Sequence, residues 1–339
     1  MTAKPQQKQL SIVQKELLKI YQVVKQLCEK NHIRFYAIGG TALGAVRHKG
    51  FIPWDDDIDL GIPIDDYEKF INVCQKELPT PYQFTPLHLI GGKIHNTQTT
   101  FIEAQCVFSY PDQYTGIFID IFPLIGAPNN KTERNNFLKE MHDYFNQAFI
   151  FDRYPECSNL TKTKINNWRR SLLHRYSQTD SKYTVEFATG FEFLKTTSGL
   201  NNPIIMQFEN TTVPVTSTFE TDLQDEYGNW RQLPPVNQRH THDKYALIDH
   251  KKPYSYYYTK ISQIDPQILK LLQLKDEQEG LFFNDLQQLN LQHTNLIKLY
   301  EKQNQELSKL RYDLNQIINS RSYKITRKLQ KLSSRFKLK

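Results

Sequence analysis

Four carboxylates fall within five positions, at Asp55, Asp56, Asp57 and Asp59, and the run passes straight into an apolar alternation of Ile58, Leu60 and Ile62. A strand over residues 57–62 turns the three apolar side chains to one face and Asp57 and Asp59 to the other. Two ionised carboxylates held that close repel each other. One must take up a proton, or the pair must splay, unless a cation neutralises it. The fitting cation is Mg2+ (or Mn2+), which takes oxygen ligands and is commonly held by one or two carboxylates, with water and substrate phosphate completing its shell. Asp55 has the same parity and stays open between supporting this face and facing water; Asp56 points the other way.

Two more stretches belong to the same chemistry. Gly39-Gly40-Thr41 follows a strand-like segment at 33–38 and precedes helix-forming residues, so a phosphate can approach backbone amides at a helix N-terminus. Gly39 and Gly40 permit the close approach, and Thr41 caps the helix or touches the phosphate. Arg47, His48 and Lys49 just beyond are candidates to neutralise donor phosphates, with Lys93, Arg239 and His242 as weaker ones. Downstream, Asp120 stands alone in the apolar run Gly116 to Pro123. A lone acid in a buried strand requires a partner. Asp120 is a candidate third carboxylate of the set, either completing the metal shell or receiving a proton; the ordinary alternative is a buried acid that hydrogen-bonds a turn.

Other chemistries find no motif. There is no GxGxxG, no GxxxxGK[ST], and no arrangement for Ser/His/Asp or Cys/His nucleophilic catalysis. Cys28, Cys74, Cys106 and Cys157 are scattered and read as reduced structural thiols. The formal charge of +7 is uneven, because residues 320–339 hold eight Lys or Arg and no acid; subtracting those eight leaves the other 319 residues at about −1. A basic balance confined to the tail gives no reason to expect a nucleic-acid partner. The first residues lack the apolar core of a signal peptide, and no run of about 18 apolar residues occurs. The expected location is the cytoplasm.

The elements that must position these residues follow from periodicity. Leu10, Val13, Leu17, Ile20, Val24 and Leu27 make a helical stripe over 10–30, followed by a strand at 33–38, a helix at 41–48, a strand at 57–62 and a helix at 65–77. Further strands are expected at 93–95, 101–108 and 117–122, and helices at 131–151 and 161–176. The fold class is therefore α/β (α+β), a mixed sheet flanked by helices. Residues 184–250 read as irregular, with short strands and turns. From 266 to 319, eight of ten heptad positions are apolar (His293 and Gln303 are the exceptions), which predicts a coiled-coil helix pairing two copies of the chain. Ile325, Leu329, Leu332 and Phe336 then stripe the basic tail, as suits an anionic membrane surface.

The wording from Gly39 to Asp59, with Gly116 to Pro123 and the region Pro214 to His242, resembles the LicD family of phosphotransferases, related to the fukutins, over roughly residues 10–250. The resemblance implies a nucleotidyltransferase-like catalytic domain at 1–265, ahead of the coiled coil at 266–319 and the tail at 320–339. It also implies transfer of a substituted phosphate, phosphocholine or a polyol phosphate, from a CDP-linked donor to a hydroxyl of a glycan or lipid-linked glycan such as a teichoic-acid precursor. An acceptor on a lipid carrier would hold the protein peripherally at the inner face of the cell membrane. The rival readings are a nucleotidyltransferase using an NTP, a glycosyltransferase using a nucleotide sugar, and an inactive coiled-coil scaffold.

Overall fold

The computed structural model describes residues 10–87, 91–103, 116–153, 158–188, 194–239 and 245–261, with Glu306 and Lys309. The chain divides into two compact units, residues 1–280 and 281–339. Of the second only Glu306 and Lys309 are described, both helical. The predicted coiled coil and basic tail lie outside the described residues. No helix among the described residues is long and apolar enough to cross a membrane.

The first unit runs α1 (Ile12–Lys30), β1 (Tyr36–Ala37), α2 (Gly39–His48), β2 (Asp59–Pro63), α3 (Ile64–Glu77), β3 (Tyr82–Pro86), β4 (Gly92–Asn96), β5 (Thr100–Glu103) and β6 (Phe118–Ala127). There follow α4 (Lys131–Arg153), α5 (Lys162–Leu173), β7 (Tyr183–Glu186), β8 (Leu194–Thr196), α6 (Thr197–Asn201), β9 (Ile204–Phe208), β10 (Thr211–Val215), α7 (Phe219–Tyr227), β11 (Tyr245–Asp249) and α8 (Tyr254–Ile261). Seven strands form one mixed sheet in the order β1-β2-β6-β4-β3, with β7 on β6 and β8 on β7. β6 is its spine. It pairs in parallel with β2, while β4 takes its first half and β7 its second, both antiparallel.

The apolar alternation expected of the acid-rich strand holds: Ile58, Leu60 and Ile62 are fully buried. The strand itself starts later, at Asp59 rather than 57, because the Ile58 carbonyl accepts from the Asp120 amide while Asp55 and Asp57 remain in the preceding loop. The first strand is also shorter than 33–38. Arg34 is drawn away by Asp66, which takes its backbone amide at 3.1 Å and its guanidinium at 2.7 Å. The predicted strand 101–108 is described only to Glu103, where it pairs with β11 in a separate two-stranded sheet. Among the described residues, 184–250 hold five strands and two α-helices where short strands and turns were expected. The strands are three to five residues long, too short for periodicity to place them one by one.

Helix α1 opens on a capping box, in which Ser11 Oγ accepts the Gln14 amide and Gln14 Oε1 accepts the Ser11 amide. The same Gln14 donates through Nε2 to the Asp55 carbonyl at 2.7 Å, tying the start of α1 to the acidic loop. A second tie is Thr41 Oγ1, buried in α2, which accepts the Asp59 amide at 2.8 Å. A small apolar cluster of Leu43, Ile52, Leu223 and Trp230 packs α7 against α2 and the loop between α2 and β2.

Helix α2 is packed closely behind the acidic loop. A Cβ on Gly44 would stand 2.6 Å from the Gly50 carbonyl and 3.3 Å from the Ile52 amide. Gly to Ala in an open helix interior stabilises by about 1 kcal/mol. Here the contact is with backbone, so Gly44→Ala is expected to lose about 1–3 kcal/mol instead, which urea unfolding followed by circular dichroism will measure.

Candidate active site

The carboxylates gather at the start of α2. A cavity of about 280 Å3, near the low end of ligand pockets at roughly 300–1,000 Å3, is lined by Ile38, Gly39, Gly40, Ile52, Trp54, Asp55, Asp57, Asp59, Phe122, Glu186, Glu226 and Tyr227. Gly39 begins α2 at φ +52°, a conformation that favours glycine. The N-cap residue, Ile38, makes no side-chain hydrogen bond to the helix start. Carboxylates stand there instead. A Cβ on Gly40 would lie 3.0 Å from Asp55 Oδ2, and one on Gly39 would lie 3.5 Å from Asp59 Oδ2, 3.7 Å from the Tyr227 hydroxyl and 3.8 Å from Glu226 Oε1. The partial positive charge of a helix N-terminus favours anions, whether carboxylate or phosphate.

The sheet register sets a second row. Asp59 on β2 lies opposite Asp120 on β6, which lies opposite Lys93 on β4. Lys93 Nζ is 3.7 Å from Asp120 Oδ1 and 3.4 Å from the centre of the Phe118 ring. Burial pushes the Asp59 carboxyl well above its ordinary range, and the charges of Asp57, Asp120, Asp55 and Glu186 push it further. Among the described residues no three His, Cys, Asp or Glu side chains converge ready to hold a metal ion.

The structure brings Asp55, Asp57, Asp59, Gly39 and Gly40 together on the cavity wall; Asp120 sits behind Asp59 in register and does not line it. Thr41 is likewise off the wall, its hydroxyl engaged by β2. The basic candidates hold the surroundings. Arg47 donates through Nη1 to the Trp230 carbonyl at 2.7 Å and through Nε to His48 Nε2 at 2.9 Å. Burial lowers the Arg47 pKa, and the nearby Arg239 charge adds to that. Lys49 closes α2 in a left-handed conformation, and its carbonyl accepts the Glu209 amide. Arg239 donates to the Pro234 carbonyl at 2.8 Å and lies 5.3 Å over the ring of Trp54, which also meets the His48 ring edge-on. None of Arg47, His48, Lys49, Lys93 and Arg239 lines the cavity, and His242 lies outside the described residues.

Three further lining residues were not among the predicted site residues. Glu186 ends β7, and Glu226 and Tyr227 end α7. Lys195 on β8 lies 2.9 Å from Glu186 and 3.8 Å from Glu226. Glu186 carried a signal of the kind that marked Asp120, an acid in the short apolar run Val185-Glu186-Phe187-Ala188. Glu226 carried none, because its helix shows only an ordinary mix of acids.

An α/β domain with carboxylates and glycines meeting at a helix start matches one family. Residues 32–157 match the LicD/FKTN/FKRP nucleotidyltransferase domain, so the chain carries a domain of the LicD family. Over 268 residues it is 26% identical to the lipopolysaccharide cholinephosphotransferase LicD of Haemophilus influenzae, covering 69% of this chain and 97% of that one. An uncharacterized protein of Rickettsia typhi is 33% identical over 168 residues, covering 48% of this chain and 44% of its own length. The human ribitol 5-phosphate transferase FKRP is 53% identical over 34 residues, covering 10% of this chain and 7% of that protein. The chain thus spans nearly all of the first relative and less than half of the other two.

An acid whose folded pKa lies above its unfolded value contributes stability that is full below the unfolded pKa and lost as pH rises through the folded one. Asp59 is such a group. Asp59→Asn is therefore expected to melt higher than the metal-free wild type at neutral pH, with the gap closing as pH falls toward the ordinary value of 3.8. Thermal melts across that range in chelator provide the check.

Proposed function

We propose that this chain is a metal-dependent phosphotransferase of the LicD type. It transfers a substituted phosphate, phosphocholine or a polyol phosphate, from a CDP-linked donor to a hydroxyl of a cell-surface polysaccharide or teichoic-acid precursor. The observation that carries the reading is the meeting of Asp55, Asp57 and Asp59 with the glycine-opened N-terminus of α2 on one cavity wall. The relatives named for cholinephosphate and ribitol 5-phosphate transfer support a phosphotransferase.

The donor set fits Mg2+. It consists of carboxylate oxygens, and the burial and mutual repulsion that together raise the Asp59 pKa are what a hard cation would relieve. Asp57 and Asp59 would hold the ion, with Asp120 behind them, leaving most of the shell to water and phosphate. When bound, the ion supplies neutralisation of the donor's pyrophosphate. The chain's own residues do the positioning. Gly39 and Gly40 clear the approach to the α2 amides, where an anion is stabilised, and Trp54, Phe122 and Tyr227 line the cavity with aromatic surface for the organic part of the substrate. Arg47, His48 and Arg239 set the shape around Trp54. The acceptor on a lipid carrier and the basic tail fit a peripheral place at the membrane's inner face.

Incubation with CDP-choline or CDP-ribitol, Mg2+ and a polyol acceptor should release CMP; pyrophosphate release from an NTP instead would mark a nucleotidyltransferase. Asp57→Asn should lower CMP release by about 100-fold or more, since metal stabilisation of the transition state amounts to several kcal/mol. Mg2+ should also raise the melting temperature of the wild type but not of Asp59→Asn. An equal rise in both would remove Asp59 from the metal site.

A further inference from the structure

The two glutamates that line the cavity share a buried cation. Lys195, Glu186 and Glu226 have side chains that are 6%, 9% and 8% exposed, on three different elements, β8, β7 and α7. Burying an ammonium group is costly unless it is paired, and one carboxylate would suffice to pair it. This lysine has two, and both glutamates also line the cavity. Their roles differ. Glu186 holds Lys195 at 2.9 Å, whereas Glu226 turns Oε2 toward Lys195 at 3.8 Å and Oε1 toward Gly39, to the same spot that Asp59 Oδ2 approaches. The Tyr227 hydroxyl bonds to Glu226, and Lys195 offsets the effect of burial on that carboxyl.

In the reading above Asp57, Asp59 and their cation take the donor's diphosphate, which leaves the Glu226 carboxylate for the acceptor. A neutral hydroxyl, which can donate a hydrogen bond to a carboxylate, is the group it suits. Asp120, the other carboxylate beside Asp59, is off the wall and has Lys93 at 3.7 Å. We propose that Glu226 is the catalytic residue that receives the proton of the acceptor hydroxyl, with Lys195 and Glu186 as positioning residues that hold it. This rests on the phosphotransferase reading above. In the step, the acceptor O–H bond breaks and its oxygen bonds to phosphorus. The bond from phosphorus to the CMP oxygen breaks with its electron pair leaving on CMP, and the proton goes to Glu226 and on to solvent.

Glu226→Gln keeps the shape and the Tyr227 contact but cannot take the proton. With CDP-choline or CDP-ribitol as donor and glycerol as hydroxyl acceptor, it should lower kcat for CMP release by about 100-fold or more while leaving the calorimetric Kd for the donor in Mg2+ unchanged. Lys195→Met should lower kcat as well, and if it acts through Glu226, the Lys195→Met/Glu226→Gln double variant should be no slower than Glu226→Gln alone. Near-wild-type kcat in Glu226→Gln, or a loss of donor affinity alongside the rate, overturns the assignment of Glu226. Rate losses that multiply in the double variant overturn the positioning role of Lys195. Should Lys195→Met fail to fold, Glu226→Gln alone still decides the main assignment. Wild-type protein that releases no CMP from either donor overturns the phosphotransferase reading itself, a result distinct from wild-type turnover that Glu226→Gln retains.

Discussion

The parallel pairing of β2 with β6 is the constraint on which the rest depends. It sets Asp59 beside Asp120 on one face of the sheet while Ile58, Leu60, Ile119 and Ile121 are buried on the other. A one-residue slip would carry the acids into the core and the isoleucines into the cavity, so the apolar face locks the acidic one in place. Once the register is set, the electrostatics follow. Desolvated carboxylates accumulate faster than water can screen them, and neighbouring strands respond with buried lysines, Lys93 from β4 and Lys195 from β8.

Those lysines compensate unevenly. Lys93 stands by Asp120 at the back of the row, and Lys195 stands by Glu186 and Glu226 on the cavity wall. The front aspartates face the cavity and the start of α2, and Asp59 is left with a carboxyl whose ionisation the fold disfavours. A site held in that condition costs stability, which is the common trade at functional sites. The backbone around it is correspondingly well tied. Gln14 holds the Asp55 carbonyl and Thr41 holds the Asp59 amide, so the acids are positioned by groups that do not themselves enter the cavity.

Much of this was legible in the chain. The alternation at residues 58–62, the lone acid at 120 and the paired glycines at 39 and 40 are local patterns whose meaning depends only on strand parity and on glycine's lack of a side chain. The surroundings of the basic candidates were not legible in the same way. Charge and proximity in sequence are local, whereas Arg47 donates to the Trp230 carbonyl and the Lys49 carbonyl accepts the Glu209 amide, both from distant segments.

By itself, then, the sequence determined which face of β2 is acidic, where paired glycines open a helix start, and the family of the domain, because each is written in neighbouring residues. Only the tertiary structure decided that Asp55 joins the wall, that Asp120 stands behind it with Lys93, and that Glu186, Glu226 and Tyr227 line the same cavity. The physical reason is burial. A carboxylate reads as solvated surface until the packing of α7 on α2 and the pairing of β7 with β6 and β8 remove the water around it. No periodicity within a nine-residue helix or a four-residue strand carries that information.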